Sequence, residues 1–241
     1  MSEPAEGKRE YAAERRRHAT YGLLAEWYHE PSEKRMRRLA GIQPGTVEVD
    51  LPGLAGAADG IEALRLDHAQ LFVGPFELAA PPYESVYVDS EGRVMTETTD
   101  AVRAEYRGAG LDVDMDEPAD HVAAELEFVS LLVATELEAL AAGESEAAEH
   151  YLRRQYEFLS EHLGRWVSEM AENVCENADT EFYRTLAGET RRFVEADGRL
   201  LADRLDRLEA TDDITDVLDA SDTPEAAGGH GSGATTGGRN R

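Results

Sequence analysis

Lysine is nearly absent from this 241-residue sequence, and basic residues as a whole are scarce. Only Lys8 and Lys34 are lysines among 24 basic residues, whereas 50 residues are acidic, so the formal net charge is −26. A surface this negative repels nucleic acids and anionic membranes, and we expect neither as a partner. An acid excess with little lysine suits a cytoplasm of molar salt, because salt screens the repulsion among carboxylates. We therefore interpret the charge as a halophilic surface and not as a binding site.

Cysteine is represented by Cys175 alone. A single cysteine cannot form an intrachain disulfide and cannot supply a cysteine cluster for a metal. This usage suits a reducing compartment, and we predict a cytoplasmic protein with no metal and no other cofactor. Because no histidine stands close to it in sequence, we expect Cys175 to be a buried core residue.

Long apolar runs are also missing. None approaches the roughly 20 residues that a membrane-spanning helix needs, so we predict no stable membrane insertion. Arg15–Arg17 superficially resembles a twin-arginine export signal, but the following segment 19–28 contains Glu26 and three aromatic residues and makes a poor secretory core. We expect these arginines on a solvated helix face.

Apolar residues recur at helical spacing along most of the chain, and 41% hydrophobic residues are enough to build a core. Prolines and glycines separate the periodic segments. The predicted helices lie at 10–29, 32–40, 61–73, 98–108, 117–142, 145–174 and 180–208, the last with a break near Gly188 or Gly198. Long helices joined by short turns pack antiparallel, so the predicted fold is all-α, a single-domain antiparallel helical bundle.

Three segments fall outside this pattern. Residues 1–9 are predicted to be a flexible N-terminus before an all-helical domain at 10–210. Residues 211–241, acidic at first and then rich in Gly, Ser and Thr, are predicted to be a disordered tail, since their last part has no large apolar residue. The proline-rich loop at about 75–96 is irregular, with a small hairpin predicted at Ser85–Val88. A long irregular loop in a helical domain is usually functional or mobile.

Motifs of several enzyme classes are missing from the sequence. A di-iron bundle needs two Glu-x-x-His pairs, and only Glu26 with His29 matches. There is no His-Glu-x-x-His zinc motif, and neither lysine stands in a phosphate-binding loop. We therefore predict no catalytic residues.

Asp120 and His121 form the first of two clusters that can carry function. They stand near the start of the helix predicted after Pro118. Asp120 can accept hydrogen bonds from free backbone N–H groups in the first helical turn, in which case the pair only begins a helix. Alternatively, with Glu117, the pair gives an acidic, hydrogen-bonding edge to the place where the 75–96 loop rests on the bundle.

The second cluster runs from Leu71 to Tyr87 and combines prolines with aromatic residues. Such residues on a rigid extended segment suit the binding of an apolar peptide, because little conformational entropy is lost on binding. The alternative is a loop that only covers the core.

These residues, in this order, resemble the TorD/DmsD family of cytoplasmic chaperones for molybdenum-cofactor oxidoreductases. The likeness extends from about Glu10 to Leu208, and the joint order of its pieces is specific although each piece is short. The matching pieces are Leu71–Pro75, Ala80–Tyr87, Glu117–His121, His162 with Trp166, and Phe182–Arg184. Tyr83 and Tyr87 stand where many relatives carry tryptophan.

The resemblance implies an all-helical chaperone that binds the twin-arginine signal peptide of a molybdopterin oxidoreductase of the DMSO-, TMAO- or nitrate-reductase type. The partner's catalytic subunit would be held in the cytoplasm until its cofactor is inserted, by a chaperone that is a monomer or a weak dimer. The implied signal-peptide-binding residues are Leu71, Phe72, Pro82, Tyr83, Glu84, Asp120 and His121. Carboxylates beside an aromatic groove complement a peptide that carries paired guanidinium groups next to an apolar helix.

Two other functions stay open at this point. Asp120 and His121 could be the acid–base pair of an enzyme or of a switch that uses guanine nucleotides, although the sequence lacks a phosphate-binding loop. The protein could also be an assembly factor that contacts only the folded client and ignores its leader.

Overall fold

The chain is built from helices, as predicted from the sequence. A computed structural model describes residues 3–43, 45–49, 60–74, 78–89, 96–111 and 118–221. Its helices are α1 (Glu3–Trp27), α2 (Glu33–Ala40), α3 (Ile61–His68) continued by a π-helical turn (Ala69–Val73), α4 (Glu84–Val88), α5 (Glu97–Gly108), α6 (Val122–Ala142), α7 (Ser145–Glu161), α8 (Leu163–Asn177) and α9 (Glu181–Ser221). In these residues the only β-type pairing is an isolated antiparallel bridge between Tyr83 and His121. The all-α fold is confirmed.

Two compact units divide the chain, Met1–Leu205 and Asp206–Arg241. The described part of the second unit is helical up to Ser221. Helix α1 begins at Glu3, and α9 continues past residue 210, so both helices extend beyond the predicted domain limits. Pro4 is tolerated in a first helical turn, and no proline interrupts the chain between residues 206 and 221. The rest of the predicted tail, 222–241, lies outside the described residues.

Helix α6 is the centre of the first unit and packs against both α1 and α7. Its apolar residues are buried, as the periodicity predicts: Val122, Leu126, Val129, Val133 and Leu137. Burial of each such side chain contributes about 1.5–3 kcal/mol. Gly143 ends the helix in the left-handed conformation, with φ of 77°, which a glycine adopts without strain. No helix among the described residues is long and apolar enough to cross a bilayer.

Arg17 corrects the prediction that Arg15–Arg17 is solvated. Its side chain is only 1% exposed and donates to both carboxylate oxygens of Asp197, at 2.6 and 2.8 Å. It also donates to Gln155 Oε1 at 2.9 Å and to Glu14. Burial opposes the charged form, but Asp197 and Glu14 outweigh it and raise the pKa of Arg17. The arginine therefore ties α1 to α7 and α9.

A break at His162 divides the helix predicted at 145–174 into α7 and α8. His162 has non-helical angles (φ −124°, ψ −102°). A Cβ atom at Gly164 would lie 2.4 Å from the carbonyl oxygen of Leu159, so only glycine allows this approach. In contrast, α9 is unbroken at Gly188 and Gly198, since a helix tolerates isolated glycines at a modest cost.

Cys175 near the end of α8 is exposed, so the prediction of a buried core cysteine is wrong. It follows the buried Val174 by one position, which is about 100° around α8. Its thiol donates to the carbonyl oxygen of Arg184 at 3.7 Å. This position lies off the buried stripe of Leu163, Val167, Met170 and Val174, so the helical spacing itself indicated an exposed side chain.

Asp67 fixes α3 against the start of α9. Its buried carboxylate accepts from the backbone N–H of Asp179 at 3.1 Å and of Thr180 at 2.8 Å, and from the Thr180 hydroxyl at 2.6 Å. These are the free donors at a helix N-terminus, which a side chain from a distant helix satisfies here. The contact holds the π-helical turn in place beside α9.

A helix replaces the hairpin predicted at Ser85–Val88. The extended residue Tyr83 pairs with the segment before α6 and not with a neighbouring strand, and the chain then turns into α4. The N–H groups of Val86 and Asp89 donate to Tyr83 O and Ser85 O, which makes this segment a short helix. The loop residues 75–77 and 90–95 lie outside the described residues.

Candidate functional site

Two segments of the predicted site meet at the bridge between Tyr83 and His121. The backbone N–H of Val122 donates to Pro82 O at 2.9 Å, and that of Glu84 donates to Asp120 O at 3.0 Å. The rings of Tyr83 and His121 meet edge to face, with centroids 5.3 Å apart. The structure therefore brings together five of the seven predicted residues: Pro82, Tyr83, Glu84, Asp120 and His121.

Leu71 and Phe72, the other two, are buried in the π-helical turn. The carbonyl oxygen of Leu71 accepts from Ala80 N–H at 3.1 Å, which anchors the start of the proline-rich segment. Phe72 packs in an aromatic group with Tyr28, His68 and Tyr183, at centroid distances of 5.4 to 5.8 Å. In this conformation both side chains belong to the core.

The outer side of α3 and its π-helical turn carries apolar residues that face solvent. Leu66 and Val73 are 62% and 64% exposed. The turn ends at Gly74, whose φ of 83° is the left-handed conformation that favours glycine. π-Helical turns are rare and frequent at functional sites. An apolar strip therefore lies on the same element that buries Leu71 and Phe72.

His121 is the N-cap of α6. Its Nδ1 accepts from Ala123 N–H at 3.1 Å, so the ring proton lies on Nε2. Burial and the nearby His29 and His68 lower the pKa of His121 to about 3, which keeps the ring neutral at pH 7. Its ring also stacks on that of His29, at 6.3 Å and 15°.

The helix-start alternative predicted that Asp120 accepts hydrogen bonds in the first turn of α6. The structure shows instead that Asp120 caps α4. Residues 118–121 form a turn closed by a 3.1 Å bond from His121 N–H to Pro118 O, so α6 begins only at Val122. The fully buried carboxylate of Asp120 accepts from Ser85 N–H at 3.1 Å. Asp120 therefore holds the start of α4 from a distant part of the chain. The predicted Glu117 lies outside the described residues.

Glu84 and Glu125 lie beneath the bridge, both completely buried. Glu84 Oε2 accepts from His162 Nδ1 at 3.1 Å, and Glu125 Oε2 accepts from Trp166 Nε1 at 3.1 Å. Burial and the neighbouring Glu84 raise the pKa of Glu125 well above its ordinary value. Analysis of the sequence missed Glu125, although a glutamate within the apolar stripe of α6 is a signal of a buried carboxyl group.

No group of three or more His, Cys, Asp or Glu side chains in the described part of the chain is arranged to hold a metal ion. The carboxylates under the bridge bind protein donors instead, namely a backbone N–H, an imidazole and an indole. The site is thus a small hydrogen-bonded interior under an aromatic pair, with an apolar strip on α3.

Three chaperones from other organisms are similar to this chain. The chaperone protein TorD of Aliivibrio fischeri is 29% identical over 155 residues, which cover 63% of this chain and 70% of that protein. The perchlorate reductase assembly chaperone protein of Dechloromonas aromatica is 33% identical over 166 residues, covering 62% and 71%. The Tat proofreading chaperone DmsD of Salmonella paratyphi A is 33% identical over 127 residues. This match covers 52% of this chain and only 55% of that protein.

A solved structure and a family profile agree with these likenesses. The crystal structure of a candidate redox enzyme maturation protein from Archaeoglobus fulgidus superposes with a TM-score of 0.52 at 25% identity, covering 74% of this chain and 93% of that one. The family described as the nitrate reductase delta subunit matches residues 39–172, from the end of α2 into α8. This range contains both bridge segments and most of the helices, so the chain belongs to the nitrate reductase delta subunit family, together with chaperones of the TorD and DmsD type.

Proposed function

We propose that this protein is a maturation chaperone for a molybdopterin oxidoreductase and binds the twin-arginine leader of that enzyme around the Tyr83–His121 bridge. The observation that carries the proposal is the bridge itself, which joins the two sequence segments that resemble the chaperone family. The names of the relatives support a chaperone: one is a Tat proofreading chaperone and another assembles perchlorate reductase.

An enzymatic role for Asp120 and His121 has little support. The Nδ1 atom of His121 is used as a helix cap, and one oxygen of Asp120 holds the start of α4. Both residues are buried, so a substrate has poor access to them. The relatives are named as chaperones and not as catalysts, which favours a protein that binds and releases its client without covalent chemistry.

Apolar contact supplies the first part of leader binding. A twin-arginine leader carries an apolar helix, which fits the strip formed by Leu66 and Val73 and the half-buried ring of Tyr83. Removal of this apolar surface from water contributes about 25 cal/mol per Å². The ring of Tyr83 is fixed by the bridge, so little entropy is lost when a peptide binds to it.

Charge supplies the second part. The net charge of −26 attracts the cationic end of a leader, and molar salt limits this attraction to a range of about 3 Å. Asp120 and Glu84 are completely buried in this conformation, so a direct ion pair with a leader arginine requires the bridge to open. We propose instead that these two carboxylates hold the binding segment in shape.

The client and the compartment follow from the same proposal. A chaperone of this kind acts in the cytoplasm on the catalytic subunit before export, as a monomer or a weak dimer. The leader is the recognised segment, and the folded client is a second contact.

Titration calorimetry with the leader of a twin-arginine molybdopterin oxidoreductase tests the proposal. We expect binding by the wild-type protein, weaker binding of a leader with both arginines changed to alanine, and weaker binding by Tyr83→Ala. Tyr11→Ala on α1 is the matched control, because Tyr11 is an exposed tyrosine outside the site. If the folded protein binds the complete client but no leader, it is an assembly factor for the folded enzyme and the leader site is wrong.

A further inference from the structure

Three carboxyl groups from three different parts of the chain meet under the bridge. Glu84 begins α4, Asp120 precedes α6, and Glu125 lies in the first turn of α6; all three are completely buried. Burial of an ionised carboxylate is costly unless it is paired and hydrogen-bonded. Three negative charges in this interior would also repel one another, so the arrangement demands a source of neutralisation.

Protein donors account for only one oxygen of each carboxyl group. His162 donates to Glu84 Oε2, Trp166 to Glu125 Oε2, and Ser85 N–H to Asp120 Oδ2, each at 3.1 Å. The remaining oxygens of the two glutamates, Glu84 Oε1 and Glu125 Oε1, are buried and have no donor among the described residues. His162 and Trp166, which hold the other oxygen of each glutamate, lie four residues apart at the start of α8. The two carboxyl groups are therefore neighbours, and the charge of Glu84 raises the pKa of Glu125. Two acceptors so placed form a bond only if one of them carries a proton.

We propose that Glu125 donates a proton to Glu84 and that this shared proton makes Glu125 a positioning residue for leader binding. The positioning role rests on the proposed function, because it concerns the segment 82–84 on which the leader is expected to bind. In this arrangement Glu84 is the carboxylate: it accepts from His162 on one oxygen and from the Glu125 O–H on the other. Glu125 is the neutral acid, and it accepts from the Trp166 indole.

The groups around the pair favour a neutral Glu125. Burial is the largest cause of its raised pKa, and the negative charges of Glu84 and Asp120 raise it further. The hydrogen bond from Trp166 lowers the pKa and so acts in the opposite direction. From α5, Tyr106 faces the same cluster, but its hydroxyl donates to Ala119 O at 2.7 Å and so is not a donor to the pair.

Other titratable neighbours are Tyr87 from α4 and His162 from the junction of α7 and α8. The ring of Tyr87 stacks on Trp166, with centroids 5.5 Å apart, and burial raises its pKa to about 12. Tyr87 is therefore neutral at ordinary pH. His162 faces Glu84 and not Glu125.

The shared proton has a mechanical consequence for the site. It joins the first residue of α4 to α6, and through His162 and Trp166 to the start of α8. Tyr83 immediately precedes α4, so the direction of its ring depends on where α4 lies. Loss of the proton leaves two adjacent carboxylates that repel each other, which pushes α4 away from α6 and loosens the pairing of Tyr83 with His121.

The pH dependence has a definite sign. Unfolded Glu125 titrates near its ordinary pKa of about 4.3, whereas the folded group holds its proton to higher pH. Its contribution to stability is therefore complete below about pH 4 and is lost as pH rises towards the folded pKa. Leader affinity depends on the native protein alone and should fall only as pH rises through the folded pKa, where Glu125 loses the shared proton.

Glu125→Gln is the decisive variant, because the amide donates an N–H to Glu84 and accepts from Trp166 as the neutral acid does. We expect leader affinity within about twofold of wild type and a flatter dependence of affinity and melting temperature on pH. Glu125→Ala should bind the leader about tenfold more weakly, which corresponds to one lost hydrogen bond. Glu138→Gln, the same chemical substitution at an exposed position of the same helix, is the control and should match wild type.

Infrared spectroscopy supplies a readout that needs no leader. We expect the band of a protonated carboxyl group in the wild type and in Glu138→Gln at pH 7, and its loss in Glu125→Gln. Absence of the band from the wild type would overturn the shared proton. Equal loss of leader affinity in Glu125→Gln and Glu125→Ala would overturn it also, because the acid would then act as an anion.

Failure of the proposed function gives a different result. If the wild type binds no leader, the positioning role fails with the proposed function. The infrared band and the pH dependence of melting still decide in that case whether Glu125 and Glu84 share the proton.

Discussion

His121 and Tyr83 meet edge to face, with ring centroids 5.3 Å apart and planes at 71°, and their backbones form the antiparallel bridge of the site. The same histidine caps α6 through Nδ1. One residue thus begins the central helix and also holds the aromatic side chain that we propose for leader contact. Changes at His121 should therefore affect stability and binding in separable ways.

Replacement of His121 separates its cap from its ring. His121→Ala should destabilise the fold by about 0.5–2 kcal/mol, the usual cost of a lost N-cap. His121→Asn should recover most of that loss, because asparagine is a good N-cap residue. Both variants lack the ring and should bind the leader equally weakly. Urea unfolding and calorimetry measure the two effects, and equal stability of the alanine and asparagine variants would contradict the capping role.

Acid should destabilise the protein through His121. Its unfolded pKa is about 6.5, and burial lowers the folded pKa to about 3. Its contribution to stability is present above the unfolded pKa and is lost as pH falls from about 6.5 towards 3. Unfolding measured across this range should show a smaller loss in His121→Asn than in wild type. An equal loss of stability in both proteins would show that groups other than His121 cause the acid destabilisation.

Two changes at Asp120 distinguish direct contact with the leader from support of α4. The resemblance predicts that Asp120 meets a leader arginine, but its burial leads us to expect support. Asp120→Asn keeps an oxygen acceptor for Ser85 N–H and should bind the leader nearly as wild type, whereas Asp120→Ala should bind weakly. If calorimetry shows that Asp120→Asn weakens binding by about 1–3 kcal/mol, the range for hydrogen bonds to charged groups, and that salt reduces the difference, the direct contact is correct.

Arg17→Met should be severely destabilising. It leaves the Asp197 carboxylate buried without its guanidinium partner, and breaking a buried ion pair costs about 3–5 kcal/mol. Arg15→Met, on the exposed side of the same helix, should change stability by less than about 0.5 kcal/mol. Thermal or urea unfolding of the pair measures the difference. Similar stabilities would mean that the buried network contributes little to the fold.

Low salt should loosen the fold if the acid excess is halophilic. A decrease from about 1 M to 0.1 M salt lengthens the Debye length from roughly 3 to 10 Å, so the carboxylates repel one another more strongly. The helical circular-dichroism signal and the melting temperature should both decrease as the salt concentration is lowered. Values that stay unchanged across this range would contradict the halophilic interpretation.

The sequence by itself determined most of the long helices and several of the residues that end them. The apolar stripe of α6 is predicted by spacing alone, and Gly74 and Gly143 mark helix ends because glycine adopts the left-handed conformation without strain. The two bridge segments were also identified from their residues. All of these are properties of a few neighbouring residues, so a local pattern is enough to predict them.

Only the tertiary structure decided which polar residues are buried and what they bind. Arg17 is internal because Asp197 from α9 meets it, and α4 begins directly after the pairing of Tyr83 with His121. Asp120 caps α4 in place of its own helix, and Glu125 gains a neighbouring carboxyl group from α4. Each outcome depends on a partner far away in the chain, and the energy of a buried charge is set by that partner and not by its neighbours in sequence.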